Sequence, residues 1–213
     1  SIISSEHRMQ LYGRNGWGSA LIEAQLAWYG APFEFIEVGD LFKDSAARAA
    51  LKKINPLSQI PTLVMDDGQV LTESAAITLF LAEHLQRNDL VPAPGSPERG
   101  EFLRWLVFLV ANIYPTFTYA DDPSRFVRVE SAQKGFREAT DRYRESLWEI
   151  VDDAVIGPWF LGERFSALDI YLAVMASWRP RMPWFQRHAP KTHAVAQACA
   201  AQMALQDVFA RNF

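Results

Sequence analysis

The pattern of apolar and polar positions changes character part-way along the chain. Up to about Gln86, strand-like apolar runs alternate with helical periodicity, and beyond that point only helical periodicity remains. Between the two halves, residues 87–97 are rich in proline and glycine and poor in large apolar side chains, which is typical of an exposed linker. The sequence therefore predicts a first domain over residues 9–86 and an all-helical second domain over residues 98–213.

The first half predicts strands and helices in the order β-α-β-α-β-β-α. Asp67-Gly68 is a strong two-residue hairpin signal between the last two strands. The predicted strands are Met9–Gly13, Phe33–Val38, Thr62–Met65 and Gln69–Leu71, and the predicted helices are about Ser19–Tyr29, about Phe42–Lys53 and one that opens at Glu73-Ser74. This is the order of the thioredoxin fold, so we expect a thioredoxin-like α/β domain followed by an all-α domain.

A proline stands at the mouth of the third predicted strand. Pro61 lacks the N–H that a sheet hydrogen bond would use at this position. In the thioredoxin fold the loop before this strand carries a cis-proline, which turns the backbone of the preceding residue out of the ladder and toward a peptide-like ligand. On this interpretation Pro61 presents the N–H and C=O of Ile60 to a substrate. The alternative is a trans-proline that merely starts an edge strand.

Composition narrows the possible functions. With 213 residues and 49% hydrophobic content the chain supports a sizeable core, and its net charge of −4 gives no positive field for nucleic acid or anionic lipid. The single cysteine, Cys199, allows no disulfide framework and no thiolate zinc site, and it fits a reducing compartment. The histidine spacing and the glycine pattern match no metalloprotease or nucleotide-binding motif. We expect a cytoplasmic protein with no metal, no nucleotide, no nucleic-acid partner and no membrane span.

Four segments together resemble the cytosolic glutathione S-transferases of bacterial type. They read YGRNGWGSALIEAQLAWYG, NPLSQIPTLV, LTESAAI and ERFSALDIYLAV. The resemblance runs over nearly the whole chain from Met9. It implies the glutathione transferase fold, glutathione as co-substrate, a homodimer, and addition of the glutathione thiolate to a small hydrophobic electrophile.

The start of the third helix suits a charged ligand. Glu73-Ser74 follow a strand and open this helix, where unpaired N–H groups and the positive end of the helix dipole favour an anion. A ligand carboxylate fits the Ser74 N–H and hydroxyl, while the Glu73 carboxylate is placed to pair with an ammonium group. The resemblance assigns these positions to the γ-glutamyl end of glutathione and adds Gln59 as a further contact, beside Ile60 and Pro61. Helix capping alone is the alternative.

The loop that reads GRNGWGSAL must supply a donor for the sulfur, because a thiol with a pKa of about 8.5 is only slightly ionised at neutral pH. Family members use Tyr, Ser, Cys or Asn here, and this loop has no cysteine. Aligning on Gly30 places Gly18 at the position of the cysteine in cysteine-type members, with Ser19 next to it. We expect Ser19 to be the donor. The alternatives are Tyr12, which matches the tyrosine-type members, the Asn15 amide, and backbone N–H groups acting alone.

The helical half contributes two further expectations. A long apolar helix reads RWLVFLVANIYPTFTY, with Pro115 kinking or ending it. By resemblance its C-terminal part faces the electrophile, so Tyr114 is expected either to wall the electrophile pocket or to donate a hydrogen bond near the sulfur. Trp17 from the first domain is expected to wall the same pocket. Farther along, Ser166–Asp169 predict a capping box ahead of a buried helix, which is a folding device.

Alternative functions follow from the same loop. The segment RNGWGS carries no unambiguous Cys, Ser or Tyr signature, so a non-catalytic interaction protein with this fold is the alternative from a different class. Among enzymes, a glutathione-dependent isomerase or disulfide reductase also fits the same sites.

Overall fold

The computed structural model describes residues 8–213, and these form two compact units. The first unit contains residues 8–87 together with the C-terminal segment Ala200–Phe213, and the second contains Asn88–Cys199. The sequence predicted residues 98–213 as one helical domain, and the assignment of the last segment therefore differs. The physical reason is a set of hydrogen bonds from the last helix to the first one, described below.

The first unit is built on a four-stranded sheet. Its elements are β1 Met9–Gly13, α1 Ala20–Tyr29, β2 Phe33–Glu37, α2 Ser45–Lys52, β3 Thr62–Val64, β4 Val70–Leu71 and α3 Ser74–His84. The strand order is β2-β1-β3-β4, with β1 parallel to β2 and antiparallel to β3, and β3 antiparallel to β4. This arrangement confirms the predicted thioredoxin-like fold class.

Strand β1 alternates between a buried and a partly open face, as a two-residue period requires. In β1, Leu11 is fully buried, whereas Tyr12 next to it is only partly buried. Helix α2 begins later than the sequence predicted, because Asp44 caps it. The Asp44 carboxylate accepts the N–H groups of Ala46 and Ala47, each at 3.0 Å, so residues before it stay outside the helix.

The second unit is helical. Its helices are α4 Arg99–Phe108, α5 Tyr114–Asp121, α6 Glu130–Ala154, α7 Ala167–Met175, α8 Met182–His188 and α9 Pro190–Ala200, and α10 Gln206–Asn212 belongs to the first unit. A π-helical turn, Leu109–Ile113, joins α4 to α5. Pro115 is the second residue of α5, and the helical backbone runs through it directly from the π-turn, so the proline does not end the helical segment. The apolar segment thus continues through a π-turn into a new helix.

Two parts of the second unit are anchored to each other. Helix α7 is buried along its whole length and starts with the predicted capping box between Ser166 and Asp169, which is confirmed. The predicted linker is less exposed than expected, since Leu90 and Val91 are buried. The backbone N–H of Ala167 donates to the C=O of Leu90 at 2.8 Å, which fixes this part of the linker against the start of α7.

Candidate functional site

The loop between β1 and α1 is closed by its own hydrogen bonds. The backbone N–H of Trp17 donates to the backbone C=O of Arg14 at 3.0 Å. The Ser19 hydroxyl donates to the same C=O at 3.2 Å and accepts the Arg14 N–H at 3.0 Å. A Cβ atom on Gly13 would lie 2.4 Å from the Ser19 oxygen, so a glycine at the end of β1 is required for this arrangement.

These bonds change the interpretation of Ser19. The residue is fully buried, and its hydroxyl is engaged both as donor and as acceptor with Arg14. It occupies the N-cap position of α1 without making a side-chain cap. The sequence singled out Ser19 as the sulfur donor from its spacing, which gives the position of a residue and not the direction of its hydroxyl, and that role stays a prediction. The geometry supports a role in holding the loop.

The side chains of the other two candidate donors, Tyr12 and Asn15, are not engaged in hydrogen bonds of this kind. Within residues 8–213, neither the Tyr12 hydroxyl nor the Asn15 amide makes a hydrogen bond, and Asn15 is exposed at the tip of the loop. Tyr12 and Trp17 both pack against a small apolar cluster that contains Ile60. The loop and the mouth of β3 therefore meet at one cluster. Its buried members are Leu41, Leu51 and Ile60.

Positive charge and aromatic surface come together beside this cluster. The guanidinium carbon of Arg14 lies 5.6 Å from the ring centroid of Trp17, within cation–π range. The Trp17 ring in turn lies 5.3 Å from that of Phe42. Sequence reasoning did not single out Arg14, although a cation in the loop expected to hold a thiolate is a signal that it could have used.

The mouth of β3 is shaped by a buried asparagine. The Asn55 amide donates to the Gln59 C=O at 3.0 Å and to the Thr62 hydroxyl at 3.1 Å, and Thr62 donates to the same C=O at 2.8 Å. The Ile60–Pro61 peptide bond is cis. Neither the N–H nor the C=O of Ile60 makes a hydrogen bond to the described part of the chain. Asn55 was missed as a site residue, although it opens the NPLSQIPTLV segment.

The start of α3 contains an unusual backbone conformation. Glu73 has φ 69°, in the left-handed region that non-glycine residues rarely adopt. Its side chain is exposed, and its carboxylate has no ion pair or hydrogen bond with residues 8–213. Ser74, the first residue of α3, is buried, and its hydroxyl likewise has no partner among them. A charged side chain and a hydroxyl are thus left available at a helix N-terminus.

Strand register brings these parts to one edge of the sheet. In the β3–β4 pair, Leu63 lies opposite Leu71, and extending this register by two residues aligns Pro61 with Glu73. In the β1–β3 pair, Tyr12 lies opposite Thr62, so the end of β1 and the start of β3 share that edge. Of the predicted first-domain residues, the structure thus gathers the loop, the Ile60–Pro61 step and the Glu73-Ser74 pair.

Tyr114 is described only within the second unit. Its ring packs edge-on against Trp178, with 5.7 Å between the centroids, and Phe117 packs on the same indole at 5.3 Å. Its predicted place in the electrophile pocket stays a prediction.

The described residues offer neither a metal-ion site nor a membrane-spanning helix. No group of three or more His, Cys, Asp or Glu side chains in residues 8–213 is arranged to hold a metal ion. Over the same residues, no helix combines the length and the hydropathy that a membrane crossing requires.

Comparison with known proteins agrees with this geometry. Residues 22–84 match the profile of the family described as "Glutathione S-transferase, N-terminal domain". The chain is 38% identical to the uncharacterized GST-like protein YncG of Escherichia coli K12, over 96% of this chain and 98% of that protein. It is 26% identical to the glutathione S-transferase GstA of Escherichia coli O157:H7, over 80% of this chain and 82% of that one.

Solved structures point the same way. The structure of a sphingomonad glutathione S-transferase complexed with glutathione is 27% identical in sequence and superposes with a TM-score of 0.76, over 94% of this chain and 97% of that one. The sequence relatives, the matched N-terminal profile and the shared fold lead to one conclusion: the chain belongs to the glutathione S-transferase family.

Proposed function

We propose that the protein binds glutathione at the sheet edge described above and adds its thiolate to a small hydrophobic electrophile. The observation that carries the proposal is the backbone of Glu73. A non-glycine residue in the left-handed region costs on the order of 1–3 kcal/mol, and such conformations concentrate at ligand-binding sites. Here the conformation sets an exposed carboxylate directly before the first N–H groups of α3.

The γ-glutamyl end of glutathione suits this helix start. Its α-carboxylate accepts hydrogen bonds from the Ser74 N–H and hydroxyl, helped by the positive end of the helix dipole. Its α-ammonium pairs with the Glu73 carboxylate, and the exposed Gln59 side chain is the further polar contact. The ligand carboxylate therefore meets the Ser74 hydroxyl, and the ligand ammonium meets the Glu73 carboxylate. Both side chains are unpaired within the described residues.

The cysteinyl part suits the mouth of β3. The N–H and C=O of Ile60, unpaired within the described residues, offer a peptide ligand one donor and one acceptor. Because Pro61 and Glu73 are aligned by the β3–β4 register, one extended tripeptide is able to use both places. The sulfur then lies toward the loop between β1 and α1, whose Tyr12 and Trp17 share the Ile60 cluster.

The chemical task of the loop is to favour the thiolate. Lowering the pKa of a thiol by two, from about 8.5, takes about 2.7 kcal/mol of preferential stabilisation. One hydrogen bond to a charged acceptor contributes about 1.5–3 kcal/mol. Tyr12 or Asn15 supplies that bond in this proposal, the Arg14 guanidinium adds positive charge, and Ser19 acts by holding the loop. The thiolate sulfur then forms a bond to the electrophilic carbon, and the leaving group departs with its electron pair.

Calorimetric titration with reduced glutathione tests the binding site. Glu73→Ala and Ser74→Ala should each weaken binding about tenfold or more, because the first leaves the ligand ammonium unpaired and the second removes one of the two Ser74 hydrogen bonds to the ligand carboxylate. Glu83→Ala is the matched control, since Glu83 is an exposed glutamate on the same helix. If the unaltered protein gives no binding heat, the proposal fails and a non-catalytic interaction protein becomes the better interpretation.

Activity is tested separately with an aromatic halide electrophile and glutathione. Conjugation that depends on Glu73 supports the proposed transferase. Binding without conjugation contradicts the transferase step and directs the search to glutathione-dependent isomerisation or disulfide reduction. The expected assembly is a homodimer, by family resemblance, and light scattering at micromolar concentration tests it.

A further inference from the structure

The C-terminal helix reaches the candidate loop through one side chain. The Asn212 side-chain oxygen accepts the Gly16 N–H at 2.9 Å, across 196 residues of sequence. Its amide nitrogen donates to the Glu23 carboxylate at 3.1 Å and to the Val208 C=O at 2.8 Å. Asn212 therefore ties the loop, helix α1 and its own helix α10 together within the first unit.

Glu23 explains why α10 holds this position. It is a carboxylate on α1 with only 2% exposure, and a buried charge requires paired partners. Both partners come from α10, since Arg211 forms an ion pair with Glu23 and Asn212 donates the hydrogen bond. The last turn of α10 is thereby fixed against α1, with the Asn212 carbonyl oxygen close to the loop.

The loop is consequently fastened on both sides of Asn15. Ser19 holds Arg14, and Asn212 holds Gly16. Gly16 has φ 83°, and a Cβ atom there would lie 3.3 Å from the Asn212 backbone oxygen. The exposed Asn15 side chain lies between these two anchors, so its position follows from theirs.

We infer that Asn212 is a positioning residue for the loop that stabilises the glutathione thiolate. This inference rests on the proposed function. A donor stabilises a developing or fixed anion only when it lies about 2.7–3.1 Å from that atom, and small displacements cost rate steeply. Loss of the Asn212 bond removes one anchor of Gly16 and displaces the donors of the loop, while the contacts at Glu73 and Ser74 stay in place.

The variant Asn212→Ala tests this inference, with Asp207→Ala as the matched control, because Asp207 is exposed on the same helix. The thiolate is followed by its ultraviolet absorbance as pH is varied with glutathione bound. In N212A the pKa of the bound thiol should rise by about 0.7, which corresponds to about a fivefold loss of thiolate and of kcat at a fixed pH below it. The dissociation constant for glutathione should change less than about twofold.

A second variant and a local measurement separate positioning from stability. Gly16→Ala should raise the thiol pKa in the same direction, because an alanine is strained at this φ and crowds the Asn212 oxygen. Hydrogen exchange of the Gly16 N–H should accelerate in N212A and stay unchanged in D207A. All assays are run well below the unfolding midpoint of each variant.

Failure of this inference and failure of the proposed function give different results. If the unaltered protein binds and conjugates glutathione while N212A keeps its thiol pKa and kcat, the inference is overturned and the proposed function stands. The inference is also overturned if N212A loses rate only in proportion to its unfolded fraction. If the unaltered protein does not bind glutathione, the proposed function itself has failed, and the accelerated exchange of Gly16 then reports only a structural contact.

Discussion

Ser19 and Arg14 are joined by two hydrogen bonds that use the same hydroxyl in opposite senses. The hydroxyl accepts the Arg14 N–H at 3.0 Å and donates to the Arg14 C=O at 3.2 Å. This one side chain, which is fully buried, therefore binds both backbone groups of Arg14, and the Trp17 backbone N–H is a second donor to the Arg14 C=O. The pair fixes the first residue of the loop on which the proposed thiolate chemistry depends.

Ser19→Ala should lower the free energy of unfolding by about 1–3 kcal/mol, because it removes the acceptor of the Arg14 N–H and one of the two donors to the Arg14 C=O. The loss should be present in the glutathione-free protein, and urea unfolding monitored by fluorescence measures it. If Ser19 were a direct sulfur donor with no part in holding the loop, the Ser19→Ala variant would keep its stability and lose conjugation. Unchanged stability of S19A together with a tenfold loss of conjugation would return the donor role to Ser19.

The donor itself is identified by comparing Tyr12→Phe with Asn15→Ala. Loss of a hydrogen bond to a charged acceptor should reduce kcat/KM by about tenfold or more in one of them, with the pKa of the bound thiol rising in parallel. Tyr143→Phe serves as the hydroxyl control, since Tyr143 is an exposed tyrosine on α6. If both variants keep the rate and the thiol pKa of the unaltered protein, backbone N–H groups and Arg14 hold the thiolate.

Local signals predicted the first unit well, because its elements are short and strongly marked. Each signal depends on only a few neighbouring residues: the alternation in β1, the Asp67-Gly68 turn and the helix start at Glu73-Ser74. The start of α2 was placed too early, since apolar Phe42 looks helical while the Asp44 cap decides where the helix begins. Boundaries of this kind depend on one hydrogen bond more than on periodicity.

Long-range contacts were beyond the reach of the sequence. The return of α10 to the first unit depends on Glu23, Arg211 and Asn212, and no periodicity links positions so far apart. The direction of the Ser19 hydroxyl depends on the space that Gly13 leaves open. The sequence therefore indicated which loop and which helix start to consider, whereas the direction of a hydroxyl and the contacts of α10 could not be predicted from it.

Cys199 should take no part in the chemistry. It is fully buried, and burial, with the nearby Asp169 charge as a lesser cause, raises the pKa of its thiol well above the ordinary value. Because the thiolate is the reactive form, labelling by a disulfide reagent should be slow in the native protein and rapid in denaturant. Free glutathione, titrated in parallel, gives the reference rate.

The variant Cys199→Ala should accordingly retain glutathione binding and conjugation. A small-to-smaller change in a packed helix lowers stability by about 1 kcal/mol or somewhat more, without changing the loop of the first unit. Native labelling at the rate of free glutathione, or loss of activity at full folding, would show that this interpretation of Cys199 is wrong.

Asp169 should make stability depend on pH in a direction opposite to that of most carboxylates. Burial raises its pKa to about 7, against the opposing effect of the N–H groups of Phe160 and Ser166, each donating at 2.8 Å. The folded state therefore holds the proton more tightly than the unfolded chain, whose aspartate pKa is about 3.9. The contribution of this group to stability is complete below about pH 4 and is lost as pH rises to about 7.

Urea unfolding of the protein and of Asp169→Asn between pH 4.5 and pH 8 isolates this effect. The free energy of unfolding of the unaltered protein should fall relative to that of D169N by up to about 1.4 kcal/mol per pH unit below about pH 7, and the difference should level off above it. D169N should be less stable overall by about 1–3 kcal/mol near pH 4.5, because its amide accepts only one of the two backbone N–H groups well. Parallel pH profiles for the two proteins would mean that Asp169 is ionised throughout, with its helix-capping bonds outweighing burial.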